Sequence, residues 1–146
     1  MKTSCPPLLT RRQFLHRTAA SLALPLIVPG SVLGLNGAVA PSNRVIFGGI
    51  GMGNRARYVL PNFLSFKELH FAAVSDARAD RLKSAKEMVD AQYRNQDCAT
   101  YNDFRDLLVR KDIDAVLIAT GNRWHATASM FAARAGKDMY CEKPIS

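Results

Sequence analysis

The chain has 146 residues, of which 48% are hydrophobic and 22% charged, a composition that suits one folded domain and excludes a disordered chain. Its net charge of +8 would suit a nucleic-acid binder, but Lys2, Arg11, Arg12 and Arg17 lie in the first forty residues, and without them the excess of basic over acidic residues falls to 4. No basic stripe with interleaved aromatics is present, so nucleic-acid binding is not expected.

At the N-terminus, Thr10-Arg11-Arg12-Gln13-Phe14-Leu15 sets paired arginines before an apolar stretch from Thr18 to about Leu35, and Ala38-Val39-Ala40 has the A-x-A form of a cleavage site. Paired arginines in this place read as a twin-arginine signal peptide over residues 1–40, a substrate for the twin-arginine translocase, and predict a periplasmic or otherwise exported protein. A membrane anchor needs about 20 strongly apolar residues. Pro25, Pro29, Gly30 and Gly34 interrupt this run, so the cleaved signal is the preferred reading, with a mature chain beginning near Pro41. Cys5 leaves with the signal. Cys98 and Cys141 have no partner at metal-ligand spacing, so no metal site is expected. They read as two small buried or half-buried residues rather than as a disulfide.

From Asn43 onward, strand-like and helix-like segments alternate. Arg44–Ile50 is a short apolar run ending in glycines and reads as a buried first strand. Gly53 to about Leu64 reads as a helix, kinked or cut short by Pro61. His70–Val74 reads as a second strand and Ala77–Tyr93 as a helix with Leu82, Ala85 and Val89 inward and Lys83, Lys86 and Asp90 facing away. Thr100-Tyr101 is a very short third strand, and Phe104, Leu107 and Leu108 mark another helix. Asp114–Ala119 is the clearest strand, because after Asp114 it is continuously apolar, as a strand covered on both faces must be. Trp124–Ala135 reads as a fourth helix stopped by Gly136, and Met139–Cys141 as a fifth strand. Strictly alternating strands and helices imply parallel pairing, hence an α/β, Rossmann-type doubly wound sheet over residues 43–146. Its ligands bind beyond the carboxyl ends of the strands.

The chemistry-bearing residues fall at those ends. After the first strand, Gly51-Met52-Gly53-Asn54-Arg55-Ala56 has the form G-x-G-x-x-A. The first glycine makes the tight turn, the second admits a pyrophosphate to the backbone, and the small third residue lets helix and strand pack closely. The helix N-terminus offers free N–H groups to the phosphates. Gly48 and Gly49 precede this string, and Gly51 is taken as its first glycine because Ile50 then closes the strand. After the second strand, Asp76 stands where an acid accepts the adenosine ribose hydroxyls, although Asp is also a favoured helix N-cap. Arg78 could meet a 2′-phosphate, so both NAD and NADP stay open. After the fourth strand comes Thr120-Gly121-Asn122-Arg123-Trp124-His125, a glycine-containing turn able to pass close to a cofactor. A lone histidine at a helix start, as His125 is, is more often structural or solvated than catalytic. After the fifth strand comes Glu142-Lys143-Pro144. Lysine can move a proton or polarise an oxygen, glutamate can pair with it or accept from a ribose or carboxamide, and proline fixes the turn at a bond where cis geometry is accessible. Taken alone, the same residues read as a charged surface turn.

Together, Asp112–Thr120, Trp124-His125 and Ala135–Pro144 resemble the Gfo/Idh/MocA oxidoreductases over about Asn43 to Ser146. The resemblance implies hydride transfer between NAD or NADP and a small, sugar-like or polyol substrate. It implies an active-site role for Lys143 and cofactor contacts from Gly51, Met52, Gly53, Asn54, Ala56, Asp76, Thr120, Gly121, Asn122, His125, Glu142, Lys143 and Pro144. Twin-arginine leaders also occur in this family. The sequence departs from many relatives in having Gly121 in place of proline and Arg123 in place of histidine. The family carries a second, mostly antiparallel domain that supplies the substrate pocket and the oligomer interface. This sequence ends directly after the Glu-Lys-Pro turn, so the substrate domain is expected to be absent, and a homo-oligomer is expected only of a full-length form. The alternatives are a truncated, non-catalytic dinucleotide-binding module and a non-catalytic interaction protein on the same fold.

Overall fold

The computed structural model describes residues 39–145 together with Gly30 and Leu35. The proposed signal peptide falls almost wholly outside the described residues. A 3-10 turn at Pro41–Asn43 leads into β1 (Val45–Ile50), followed by α1 (Asn54–Leu64), β2 (Leu69–Ser75), α2 (Ala79–Tyr93), β3 (Ala99–Tyr101), α3 (Phe104–Leu108), β4 (Ala115–Ile118), α4 (Asn122–Arg134) and β5 (Asp138–Cys141). The five strands form one sheet in the order β3-β2-β1-β4-β5, and every pairing is parallel.

Side chains that alternate along the strands feed two separate cores, as a sheet covered on both faces requires. Phe47, Phe71, Val74 and Leu117 pack with Met52, Val59, Leu60, Leu82 and Val89 of α1, α2 and the turn between β1 and α1. Ile50, Ala73, Val116 and Ile118 pack with Leu107, Ala128 and Ala132 of α3 and α4. Gly48 and Gly49 belong to the strand. A Cβ on Gly48 would lie 2.6 Å from Leu107 Cδ2, and one on Gly49 would lie 2.8 Å from Met52 Cε, so their bareness makes room for the two cores. The β1–β2 register slips by one residue between Phe47 and Gly48, which leaves Ala72 unpaired there.

Three expectations need correction. Pro61 does not cut α1 short, since the helix runs through it to Leu64. Pro61 is exposed, and in the last turn Ser65 donates backward to the Pro61 and Asn62 carbonyls. α2 starts two residues later than its pattern suggests, because the Asp76 carboxylate draws the Arg78 N–H at 2.9 Å and holds Ala77 and Arg78 outside the helix. Lys86 and Asp90 do not simply face solvent. They pair with each other, Lys86 Nζ donates to the Gln96 and Cys98 carbonyls, and Asp90 accepts from the Cys98 N–H, so together they fasten the entry to β3.

Candidate functional site

Chain order reverses on either side of β1, whose neighbours are β2 and β4. In an open α/β sheet that reversal opens a crevice at the carboxyl ends. A cleft of about 470 Å³ occupies this position, with Ile50, Gly51, Ser75, Asp76, Thr120 and Gly121 at its base. Its walls come from Arg81 on α2, Asn102, Asp103, Phe104 and Arg105 around the start of α3, and Trp124, Thr127 and Phe131 on α4. Trp124 is half exposed.

Gly51 is the turn glycine. Its φ is +81°, a conformation L-residues avoid, and a Cβ there would stand 2.6 Å from Thr120 Cα. The loops after β1 and β4 therefore touch backbone to backbone. Gly53 ends the turn as an extended N-cap with no side-chain cap. The N–H groups of Gly53, Asn54, Arg55 and Ala56 donate to no acceptor among the described residues. They form the uncapped, positively polarised end of a helix of 11 residues. Ala56 is fully buried beneath this turn, where only a small side chain fits, and the Met52 side chain is buried in the core.

Asp76 fixes the turn from the neighbouring strand. Its Oδ2 accepts from the Met52 N–H at 2.8 Å, its Oδ1 accepts from the Arg78 N–H, and Arg81 Nη1 lies 3.8 Å from Oδ2. The carboxylate is only 8% exposed. Asp76 is not the N-cap of α2, which is Arg78. It is a buried carboxylate with three basic or N–H partners and lone pairs to spare at the cleft. The Arg81 guanidinium reaches across to Gly53, 3.3 Å from where a Cβ would stand. The Arg78 guanidinium is taken up by Asp80, whose paired oxygens raise the Arg78 pKa, as Asp103 does for Arg105.

At the far edge, the turn after β5 is held from three sides. The Glu142 N–H donates to the Ile118 carbonyl at 2.9 Å. The Glu142 carboxylate accepts from Arg55 Nη2 at 3.0 Å. The Pro144 carbonyl sits 2.6 Å from His125 Nδ1, while His125 Nε2 sits 3.0 Å from the Thr120 carbonyl. The Lys143–Pro144 bond is cis, and Lys143 is exposed. His125 is 2% exposed, and its two ring nitrogens face carbonyls of the loops after β4 and β5. It is a structural brace between two parts of the site. The structure thus brings Gly51, Asp76, Thr120 and Gly121 to the cleft and groups His125, Glu142, Lys143 and Pro144 beside it. Asn122 is exposed at the first turn of α4.

Arg55, Arg81, Asn102, Asp103, Arg105, Trp124 and Thr127 were not singled out from the sequence as cofactor contacts. Arg55 and Trp124 stand within the strings read after β1 and β4, the others lie in the loop after β3 or on the helices, and the pairings that place the arginines span up to 87 residues. The donor set fits a dinucleotide: free helix-terminal N–H groups for a pyrophosphate, a held carboxylate one strand away, and a cleft walled by Trp124, Phe104 and Phe131 for a flat base.

This fold and this site define a Rossmann-type nucleotide-binding unit. Residues 45–146 match the model of the family described as "Oxidoreductase family, NAD-binding Rossmann fold", and the chain belongs to this Gfo/Idh/MocA family. It is 32% identical over 143 residues to glycosyl hydrolase family 109 protein 1 of Shewanella sp. (strain ANA-3), an alignment covering 95% of this chain and 30% of that protein. It is 30% identical over 99 residues to myo-inositol 2-dehydrogenase of Thermotoga maritima, covering 68% and 28% of the two chains. Among solved structures it resembles KijD10, a 3-ketoreductase from Actinomadura kijaniata in complex with NADP and TDP-benzene, with a TM-score of 0.63 and 28% identity over 71% of this chain and 30% of that one. The chain spans about 30% of the length of these relatives.

Proposed function

We propose that this chain is the cofactor-binding unit of an exported NAD(P)-dependent oxidoreductase that oxidises or reduces a sugar-like or polyol substrate, with Lys143 handling the proton. The observation that carries this reading is the three-sided anchoring of the Glu142-Lys143-Pro144 turn beside the Gly51–Ala56 cradle, which leaves Lys143 exposed at the catalytic end of the sheet. A bound nicotinamide would supply the hydride acceptor or donor. The N–H groups of Gly53 to Ala56 bind the pyrophosphate, Asp76 accepts from the adenosine ribose, and Trp124 flanks the adenine. Thr120 and Gly121 line the middle of the cofactor, with Asn122 at its margin. His125 holds the two loops apart at a fixed distance, and Glu142 accepts from the nicotinamide half. In the oxidative direction Lys143 Nζ takes the proton from the substrate hydroxyl as hydride leaves the adjoining carbon, and in the reductive direction it returns a proton to the carbonyl oxygen.

Titration of the chain with NADH and NADPH, followed by cofactor fluorescence, tests the binding half of this reading, and absence of any saturable signal would overturn it. For the chemical half, Lys143→Ala in a form that carries a substrate domain should lower turnover by about 100-fold or more while cofactor affinity changes little. Binding without turnover in that form would leave a dinucleotide-binding module. Export is supported by the Arg11-Arg12 pair and the A-x-A site that follows it. A double substitution, Arg11→Lys with Arg12→Lys, should keep the protein in the cytoplasm, and unchanged export would count against the twin-arginine route.

A further inference from the structure

One ion pair in the site is not required by the fold. Arg55 is the second residue of α1, at a place that the G-x-G-x-x-A string leaves free, and its side chain is 58% exposed. Neither the turn nor the packing of α1 asks for arginine there. Its partner is the opposite case: the Glu142 side chain is 6% exposed, and its Oε1 accepts from Arg55 Nη2 at 3.0 Å. Among the described residues Arg55 is the sole side-chain partner of Glu142, and Oε2 accepts nothing. A carboxylate this deeply set keeps its place only while a donor compensates its lost hydration. Without Arg55, the Glu142 carboxylate loses this donor, and the turn that carries Lys143 loses one of its three anchors.

We propose that Arg55 is a positioning residue for the active-site turn. By holding Oε1 of Glu142 it leaves Oε2 free as an acceptor and fixes the Glu142-Lys143-Pro144 turn against the start of α1. The phosphate cradle and the catalytic turn thereby form one rigid site before the cofactor arrives. A planar, charged fork suits this task because its donors keep a fixed direction toward the carboxylate, which a lone ammonium does not. The inference rests on the dinucleotide reading above, and it assigns the pair to the nicotinamide half of the ligand, not to the phosphates.

The test uses the whole 146-residue chain. NADH, and separately ADP, are titrated against the wild type, Arg55→Met, Glu142→Gln and the double variant, with a thermal melt of each as the folding control. Arg55→Met and Glu142→Gln should each weaken NADH by about three- to tenfold, and the double variant should be no weaker than either alone, because both remove the same link. ADP, which ends at the phosphates, should bind all four proteins alike. A merely structural role would lower the melting temperature without separating NADH from ADP. A matching loss of ADP affinity in Arg55→Met would mean that Arg55 acts directly on phosphate, and effects that add in the double variant would mean that the two residues act apart. Any of these three results overturns the proposal and leaves the dinucleotide reading standing. Glu142→Gln keeps the shape of the side chain, so it carries the test if Arg55→Met does not fold. Failure of the wild type to bind either ligand would instead sink the dinucleotide reading itself.

Discussion

Gly51 and Asp76 show how single residues set the site. At Gly51 the backbone adopts φ +81° while Thr120 crowds the place of a Cβ. Gly51→Ala therefore meets two penalties, a left-handed conformation of about 1–3 kcal/mol and a clash against backbone that has nowhere to go. We expect a drop in stability of about 2–4 kcal/mol by urea denaturation, together with loss of NADH binding, because the two loops that touch at Gly51 must separate. Retention of both would show that the turn is more adaptable than its geometry implies. Asp76 sits at a buried junction of two N–H groups and a guanidinium. Asp76→Ala leaves the Met52 and Arg78 N–H groups without their acceptor, a cost of about 1–3 kcal/mol. The same change should weaken NAD(H) by about tenfold if the carboxylate also meets the ribose. A stability loss with unaltered affinity would leave Asp76 a purely structural brace.

At the scale of elements, the parts legible in the sequence are those whose physics is local. β4 is visible because a strand covered on both faces is an unbroken apolar run, and β1 because its run ends in a turn glycine. Helix starts were less legible. α4, expected from Trp124, begins at Asn122 behind Gly121, which has no side chain to cap it, and α2 begins late because Asp76 bonds the backbone ahead of it. Of the site, the glycine turn, Asp76 and the Glu142-Lys143-Pro144 turn could be read as residue types at strand ends. Arg55 and Arg81 could not, since a long basic side chain on an amphipathic helix looks solvated until its partner on another element is known. Lys86 is the same kind of residue: it reads as an outward lysine and in fact ties α2 to the strand entry through two carbonyls and Asp90. Lys86→Met keeps the stem and removes the charge. It should cost about 1–3 kcal/mol and speed amide exchange in Cys98 to Tyr101 while α1 keeps its protection. Uniform exchange across the domain would mean that the tie is not local.

The whole molecule sets Cys98, just before β3, and Cys141, on β5, at opposite edges of a five-stranded sheet. Four strand spacings of about 4.8 Å put them roughly 19 Å apart, far beyond disulfide reach, so an oxidising compartment cannot join them within one folded chain. Their surroundings also differ. Cys98 is buried, and burial, reinforced by the nearby Asp90 carboxylate, pushes its thiol up to about 11, whereas Cys141 is half-buried. Two measurements follow. In the folded protein, an alkylating reagent at pH 8 should modify Cys141 well before Cys98, with the sites assigned by peptide mass spectrometry. Stability should carry the corresponding pH dependence. A thiol whose pKa is higher in the folded state than in the unfolded chain favours folding while both states hold the proton, that is, below about pH 9. That contribution is lost as pH rises from about 9 toward 11, because the unfolded chain gives up its proton first. The urea midpoint of the wild type should therefore fall across this window, and in Cys98→Ala it should fall less from a lower starting value. Equal slopes in the two proteins would show that Cys98 ionises as freely in the fold as outside it, and that the β3 edge opens to water.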